Sequence, residues 1–359
     1  MAGPASAIID LDALRANYAL ACSLAPGSRT LAVVKANAYG HGALACARAL
    51  EPEVPAFAVC SLAEALELRG GGIRKPILLL RGSLTPAEVQ EASRQELWLM
   101  VYEEAHLAAL EAARPARPVR AWLKVDTGMH RIGIDPGRLG VAYERLWACQ
   151  AVADGVVVAT HFACADDPDD EFTQRQIERL RAVAEPLGAP LSMANSAAVL
   201  AWPEAHGAWN RPGIMLYGGS PMRDGSAGGT ELQPVMHLVS KVIGLRRIGP
   251  GETVGYVRNW QARRESLIAT VAIGYADGYP RHAPNGTPVL INGQRAPLAG
   301  RVSMDMISVD VTDLDGPALG DPVTLWGPGL PVDEVARAAD TIGYELLTRM
   351  PGRVGLEYR

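Results

Sequence analysis

The sequence predicts an α/β protein in which an N-terminal (βα)8 TIM barrel is followed by a second, C-terminal mostly-β domain. Its 359 residues exceed the usual size of one domain, so two domains are expected. Short apolar runs alternate with amphipathic segments over most of the chain, which is typical of repeated βα units. The remainder carries short strands between Gly and Pro turns. We expect residues 1–230 to form the barrel and residues 231–359 to form the β-strand domain.

Eight apolar runs between residues 30 and 217 are the expected barrel strands. They are continuous rather than alternating, which indicates burial on both faces, as in a closed parallel barrel. The segments between them have apolar residues at helical spacing. An open, doubly wound sheet fits the same pattern and remains the alternative. In chain order the runs are TLAVVK, AFAVC, PILLLR, LWLMV, VRAWLKV, GVVVATH, PLSMA and PGIMLYG.

The pattern changes after the stretch LYGGSPMRDGSAGGTEL, which is rich in Gly and Ser. Short alternating strands then follow one another, and this arrangement predicts an all-β domain. One helix is expected near the end, in PVDEVARAADTI. The expected strands are VSKVIGLRRI, SLIATVAI, TPVLI, MISVDV and DPVTLW.

Composition argues against several classes of protein. A net charge of −5 with scattered arginines gives no footprint for nucleic acid. The N-terminus resembles no signal peptide and no apolar stretch is long enough for a membrane span, so we expect a cytoplasmic protein. Five cysteines without CxxC spacing argue against a disulfide framework and a structural zinc, and no metal site is expected.

Lys35 ends the first apolar run and is one of only four lysines in the chain. In a barrel, the carboxyl ends of the strands are where catalytic side chains project. A charge left there unpaired is costly to bury, so it must be neutralised, paired or used covalently. Alone, Lys35 could simply reach solvent past the strand end. The following loop, with Tyr39 and three nearby small or polar residues, is suited to contact with an anion.

Polar residues also follow the other predicted strands. Ser196 stands at an expected helix start, and Gly213 and Ile214 offer backbone N–H groups after the last strands, as in a barrel phosphate site. Taken singly, Asn195 and Ser196 are better explained as a helix cap. Together with a lysine able to form a Schiff base, the set predicts a pyridoxal phosphate site with Arg211 at the ring nitrogen. The remaining strand-end residues are Lys124, Asp126, Arg131, His161 and Asp166.

Seven stretches form an ordered set that covers nearly the whole chain: AVVKANAYGHG, LKVDTGMHRIG, THFACADD, NRPGIMLYG, VGY, IGYADGYPR and GRVSMDM. This set resembles bacterial alanine racemase, a pyridoxal 5′-phosphate family of fold type III. The resemblance implies interconversion of L- and D-alanine, which supplies D-alanine for cell wall peptidoglycan or allows its catabolism. It also implies a head-to-tail homodimer with shared active sites, and an opening strand near residues 7–11 that joins the β-domain.

By this resemblance, two bases act on opposite sides of the substrate. Lys35 holds the cofactor and handles the α-proton of the D-enantiomer, while Tyr256 of the partner subunit handles that of the L-enantiomer. A phenol is a weak base, so a cationic neighbour must favour its ionised form. The family places His161 against this tyrosine, with Arg211 behind it.

The presence of an arginine at position 211 also has a physical explanation. A guanidinium does not readily give up its proton, so it faces the pyridine nitrogen as a donor and leaves the ring unprotonated. The cofactor is then a weaker electron sink, and transamination is disfavoured relative to racemisation.

The resemblance assigns the rest of the site. Arg131 would bind the cofactor's phenolic oxygen and the substrate carboxylate. Lys124 matches a lysine that is often carbamylated; without a carbamate, another anion such as chloride is expected between it and Arg131. The phosphate would be held by Tyr39, Ser196 and the backbone of Gly213 and Ile214.

The β-domain would supply the substrate access path of the partner's site. Ser303 and Met304 would cover the pocket, with the Met304 backbone near the substrate carboxylate. Alone, the stretch IGYADGYPR would be explained as a turn with surface charges. The access residues are Tyr275, Arg281 and Arg301, with Asp166 on the barrel side.

One departure concerns the C-terminal tail. Several family members have a tyrosine that contacts the phosphate and narrows the pocket, and we align Gly352 with it, with Gly355 in place of a proline. This alignment predicts a missing phosphate contact and a wider pocket, so substrates such as serine become an alternative.

Two other functions stay open. The first is a related enzyme, either a racemase of broader specificity or a barrel-type decarboxylase. Arg211 argues against the decarboxylase, which usually places an acid at the ring nitrogen. The second is a non-catalytic pyridoxal phosphate binding barrel. A β-domain that carries Tyr256 argues against it, because a carrier needs no second base.

Overall fold

The computed structural model describes residues 5–81, 84–226 and 231–359. The strands in these ranges are β1 (Ser6–Ile9), β2 (Arg29–Thr30), β3 (Ala32–Val33), β4 (Phe57–Val59), β5 (Ile77–Leu79), β6 (Leu97–Val101), β7 (Ala121–Lys124), β8 (Val157–Ala159), β9 (Leu191–Ser192), β10 (Trp209–Asn210), β11 (Met236–Ile248), β12 (Thr253–Val254), β13 (Trp260–Gln261), β14 (Ser266–Val271), β15 (Pro288–Ile291), β16 (Gln294–Pro297), β17 (Ile307–Asp310), β18 (Pro322–Trp326) and β19 (Gly355–Tyr358).

The helical segments in the same ranges are α1 (Leu11–Leu24), α2 (Lys35–Tyr39), α3 (Ala43–Leu50), α4 (Leu62–Gly70), α5 (Pro86–Arg94), α6 (Glu104–Ala112), α7 (Leu139–Ala148), α8 (Phe172–Ala184), α9 (Ser196–Ala201), α10 (Val332–Ala338) and α11 (Gly343–Thr348). None of them is both long and apolar enough to cross a membrane.

The N-terminal strands form a barrel in chain order. Strands β3 to β9 are parallel, and each is hydrogen-bonded to the next. Strand β2, which leads directly into β3, pairs in parallel with β10. The Arg211 N–H donates to the Ala194 carbonyl at 2.9 Å, so the chain after β10 also contacts the chain after β9. A doubly wound sheet would reverse its strand order at a switch point, so this sequential order confirms the barrel.

The expected eighth strand is the exception. PGIMLYG does not form a strand; its residues Ile214–Tyr217 form a 3-10 helical turn, and the strand is Trp209–Asn210 just before it. All four residues of the turn are buried. A short apolar run buried on every side has no periodicity to separate strand from helix, which is why the prediction was wrong.

Aromatic side chains fill the amino-terminal end of the barrel. The Trp98 and Trp209 rings meet edge to face at 5.3 Å between centroids, and Trp122 lies 5.7 Å from Trp209. Strands β6 and β10 are not neighbours in the sheet, so this contact passes through the barrel interior. The interior is therefore packed at this end, and a ligand has room only at the other.

The C-terminal strands build a mostly antiparallel sheet around the 13-residue strand β11. All five expected strands are present, and α10 lies in the expected helix. Strand β1 pairs with β11 antiparallel and with β19 parallel, so the opening strand joins the β-domain as expected. Helix α11 was not foreseen. The expected domain boundary at residue 230 lies outside the described residues and stays a prediction.

Candidate active site

A cavity of about 530 Å³ lies at the carboxyl ends of the barrel strands. This volume is ordinary for a small-molecule or cofactor site. Lys124 lines the cavity, and so do all nine residues to which the sequence assigned the cofactor: Lys35, Tyr39, Arg131, His161, Asn195, Ser196, Arg211, Gly213 and Ile214.

Lys35 is held by an unusual turn. Residues Ala36, Asn37, Ala38 and Tyr39 all have φ between 52° and 54°, in the left-handed region that side chains with a Cβ rarely adopt. Four such residues in a row persist only when their surroundings determine the conformation. The segment α2 is therefore a strained left-handed turn that directly follows the last strand residues and presents the lysine at the cavity.

Two contacts hold this turn in place. The Ala36 N–H donates to Glu64 Oε1 at 2.8 Å, and the other oxygen of Glu64 accepts from the N–H groups that precede α4. At Gly40, which has φ +84°, a Cβ would lie 2.1 Å from the Leu347 carbonyl oxygen. The turn is thus fixed by a barrel helix on one side and by the C-terminal segment on the other.

Another part of the cavity wall has hydrogen-bond donors suited to an anion. Ser196 Oγ accepts from the Gly213 N–H at 2.8 Å, which leaves its own hydroxyl hydrogen free to donate. The Ile214 N–H, at the start of the 3-10 turn, has no acceptor among the described residues. Asn195 caps α9 through its side chain, which accepts from the Ala198 N–H at 3.0 Å, so its amide oxygen is already used.

Glycine is required at this end by close packing. A Cβ at Gly213 would lie 2.3 Å from the Tyr39 hydroxyl oxygen. The Tyr39 ring is itself stacked on Tyr217, with centroids 4.8 Å apart. The absence of a side chain at Gly213 therefore lets the Tyr39 hydroxyl approach the Gly213 backbone, which brings three kinds of donor to one place.

Arg211 is buried and fixed by backbone carbonyls. Its Nη1 donates to the Ser192 carbonyl at 2.9 Å, and its Nη2 donates to the Thr160 carbonyl at 2.6 Å. A further bond joins Nη1 to the Ser192 hydroxyl. Burial lowers the pKa of Arg211 to about 10, so the guanidinium stays charged at neutral pH. It is a permanent, immobile donor in the cavity.

The cavity is strongly cationic. Its described lining includes lysines and arginines but no Asp or Glu. Burial, followed by the charges of Arg211 and Arg131, lowers the pKa of Lys124 to about 7. Among the described residues the Lys124 amine has no hydrogen-bond or ion-pair partner. An anionic ligand would therefore be attracted to this cavity.

His161 is buried among cations. Burial, and then the nearby cations Arg211 and Lys124, hold its pKa well below its usual value. A positive charge on the imidazole is therefore disfavoured within one chain, and the cationic neighbour expected for the phenol of a second chain stays a prediction. The charge is disfavoured because the cavity already holds several permanent positive charges, which repel one more.

None of the β-domain residues predicted for the site lines this cavity. They gather on a separate exposed face, where 69% of Tyr256 and 52% of Met304 are exposed. The Tyr275 N–H donates to the Ser303 carbonyl at 3.0 Å, and Arg281 lies over the Tyr275 ring. Arg301 packs beside Gly255, which precedes Tyr256.

Asp166 lies outside the first cavity. It lines an adjoining cavity of about 350 Å³ that shares Asn195 and Tyr344 with the first. This position, beside the cavity rather than in it, is compatible with an access path that leads to the cavity from the barrel side.

The sequence interpretation missed Tyr344. This residue of α11 lines the cavity, with its ring 6.1 Å from that of Tyr39. The alignment of Gly352 with the family's phosphate-contacting tyrosine, and the missing phosphate contact that it implies, stay predictions. A Cβ at Gly352 would meet nothing within 4 Å. Helical spacing in YELLTRM gave no signal that Tyr344 turns toward the cavity.

Comparisons with known proteins agree along the whole chain. The family model "Alanine racemase, N-terminal domain" matches residues 9–221, and "Alanine racemase, C-terminal domain" matches residues 235–358. A curated relative from Chromohalobacter salexigens, named alanine racemase, is 51% identical, covering 100% of this chain and 99% of its own length. Another from Aromatoleum aromaticum is 50% identical, covering 99% of each.

Solved structures are similar as well. Biosynthetic alanine racemase from Pseudomonas aeruginosa has a TM-score of 0.96 and 48% identity, covering 99% of each chain. Alanine racemase from Bartonella henselae, described with covalently bound pyridoxal phosphate, has a TM-score of 0.88 and 31% identity, covering 99% of this chain and 100% of its own.

Proposed function

The chain belongs to the alanine racemase family and is an isomerase that interconverts L- and D-alanine, and we propose that it does so with pyridoxal 5′-phosphate and two bases. One observation supports this mechanism above the others. One cationic cavity combines a lysine on a strained turn with a serine, a tyrosine and a free backbone N–H.

The residues present fit the cofactor. Ser196, Tyr39 and the Ile214 N–H would hold its phosphate, and Tyr344 adds a second phenol to the same cavity. Lys35 would anchor it covalently. Arg211 would face the ring nitrogen with a guanidinium that remains protonated. When bound, the cofactor supplies an electron sink for the charge left when the α-proton is removed.

The two proton transfers are assigned to Lys35 and to Tyr256 of a second copy. Removal of a proton from one side and its return from the other inverts the α-carbon. Because burial and the nearby cations disfavour a charged His161, its imidazole would orient the phenol by a hydrogen bond, and the positive field would come from Arg211, Arg131 and Lys124. Arg131 would also bind the substrate carboxylate.

Lys124 is proposed to carry a carbamate or to face a bound anion. A lysine with a pKa of about 7 is largely uncharged in mildly alkaline solution, and an uncharged amine adds to carbon dioxide with loss of one proton. The carbamate is an anion, so it would convert the repulsion between Lys124 and Arg131 into attraction.

A homodimer with shared sites is supported by the exposed face of the β-domain. Tyr256 and Val257 are about 70% exposed, and Val257 and Arg258 have positive φ. A β-branched residue in the left-handed region is a strong outlier, and such strain concentrates at functional positions. An apolar, strained tip that faces solvent in one chain is suited to the cavity of another.

The proposed setting is a cytoplasmic enzyme that supplies D-alanine for peptidoglycan. The alternative of a wider pocket for serine rests on Gly352 and stays open. Tyr344 adds a phenol to the cavity wall, and alanine, the substrate of the family, is the one proposed.

Subunit mixing tests the proposal. Lys35→Ala and Tyr256→Phe homodimers should each be inactive as racemases. A heterodimer of the two should regain one good site, with Lys35 from one chain and Tyr256 from the other. Two differently tagged chains allow this heterodimer to be purified. No recovery in a verified heterodimer would show that each site is built within one chain.

A further inference from the structure

Arg353 joins the two loops of the β-domain that carry the expected access residues. Its Nε lies 2.8 Å from Asp277 Oδ1, and its Nη2 donates to Asp305 Oδ1 at 2.8 Å. Asp277 comes two residues after Tyr275, and Asp305 directly follows Met304. Three segments that are distant in sequence thus meet at one guanidinium.

The two arms of this contact differ in strength. Asp277 is buried, and its second oxygen accepts from the Gly274 N–H at 2.8 Å. Removal of Arg353 would leave this buried carboxylate without its cationic partner, which is costly. Asp305 is half-exposed, and ion pairs of that kind contribute little. Asp277 is thus the more buried of the two partners of a guanidinium that is itself half-exposed.

The two loops also fit closely against each other. The Tyr275 N–H donates to the Ser303 carbonyl, and the Ala276 N–H donates to the Met304 carbonyl, both at 3.0 Å. At Gly274 a Cβ would lie 2.3 Å from the Met304 carbonyl oxygen. Any shift of one loop is thus transmitted to the other, and Arg353 is the side chain that ties both to the C-terminal tail.

We propose that Arg353 is a positioning residue for the active site of the partner subunit. It fixes the Tyr275 and Met304 loops at the place where that site receives its substrate. This inference rests on the proposed function, because it requires the β-domain face to complete a site in a second copy. Arg353 does not line the cavity of its own chain, so its effect there should be absent.

In homodimers, Arg353→Ala should raise KM for both alanine enantiomers about tenfold, because displaced loops bind the substrate carboxylate poorly. The kcat should change less than about twofold, since Lys35 and Tyr256 keep their supports. The absorbance of the bound cofactor should not change. Arg353→Lys keeps the charge but cannot span both carboxylates, so KM should rise by a smaller factor.

Arg349→Ala is the matched control. Arg349 lies four residues earlier in the same tail, is similarly exposed, and pairs with Glu345 at 3.3 Å rather than with either loop. This variant loses the same charge from the same segment and should keep the KM of the parent. An equal rise in KM for both variants would overturn the proposal.

Heterodimers with one working site test whether the effect crosses the subunit boundary. The reference pairs Lys35→Ala with the parent chain. In the first test pair, one chain carries both Lys35→Ala and Arg353→Ala, so the working site uses Lys35 of the parent and the loops of the double variant. In the second, Lys35→Ala is paired with Arg353→Ala, so the working site has intact loops.

The proposal expects a raised KM in the first pair and the reference KM in the second. The reverse result would show that Arg353 acts within its own chain. An equally raised KM in both pairs would make Arg353 a general stabilising residue. An unchanged KM in both pairs would show that Arg353 has no role in substrate binding. If the active sites are not shared between subunits, the subunit-mixing experiment will show it separately: the heterodimer of Lys35→Ala and Tyr256→Phe will not regain racemase activity.

Discussion

The barrel residues and the β-domain residues of the proposed active site differ in what surrounds them. Those of the barrel line one cavity and are fixed by internal bonds, as Arg211 is by the Ser192 and Thr160 carbonyls. Those of the β-domain, led by Tyr256, lie on an exposed face and do not line that cavity. In the proposed function, one chain would therefore complete a cofactor site, and a second copy would be needed to complete the chemistry.

Lys35→Ala should have the largest effect, because it disables the barrel half of the proposed site. We expect racemase activity to fall at least about a thousandfold, because both the covalent anchor and one base are lost. Borohydride treatment and peptide mass spectrometry should find no cofactor on the chain. Lys75→Ala is the control, since Lys75 precedes β5 at the other end of the barrel; trapped cofactor in the Lys35 variant would refute the anchor.

Tyr256→Phe should separate cofactor binding, which depends on the barrel residues, from racemisation, which also needs the β-domain residue. Cofactor absorbance should match that of the parent, because the barrel cavity is intact, while racemisation falls by about a hundredfold or more. Exchange of the α-proton with deuterated solvent should fail from L-alanine and continue from D-alanine. Tyr143→Phe, on the outer helix α7, should behave as the parent. Equal exchange from both enantiomers would contradict a base on each side.

Gly40→Ala tests how the barrel half is supported. A Cβ there meets the Leu347 carbonyl oxygen at 2.1 Å, so we expect a loss of about 3 kcal/mol in unfolding free energy. Gly72 has a similar φ but open space around it, so Gly72→Ala should cost only about 1 kcal/mol. Denaturant unfolding measures both, and equal losses would show that backbone strain alone matters.

Lys124→Met has the smallest expected effect. The pKa of Lys124 is lowered from 10.5 to about 7. Between these values the unfolded chain binds more protons, so stability of the parent rises with pH there, and the cost of the buried charge is full below pH 7. At pH 6, in apoprotein free of carbon dioxide and chloride, the variant should be about 2 kcal/mol more stable than the parent.

A parent protein more stable than Lys124→Met at pH 6 would also be informative about Lys124. If the parent is the more stable protein at pH 6, Lys124 has gained an anionic partner. Addition of bicarbonate in mildly alkaline solution should then stabilise the parent but not Lys124→Met, which has no amine to modify.

The sequence could predict the elements whose patterns are local. Continuous apolar runs gave seven of the eight barrel strands, and alternating runs gave the five main strands of the β-domain. It failed at PGIMLYG, where burial on all sides erases periodicity. The cofactor residues were predictable because the carboxyl ends of barrel strands meet on one face, so strand order alone brings them together.

By itself, the sequence determined which residue types stand at the strand ends, and hence the class of chemistry. Only the tertiary structure decided that cations surround His161, that Tyr344 joins the cavity and that Arg353 links two loops. Each depends on charges or carbonyls brought together from distant parts of the chain. Contacts of this kind join residues that are far apart in sequence, so no local spacing pattern predicts them.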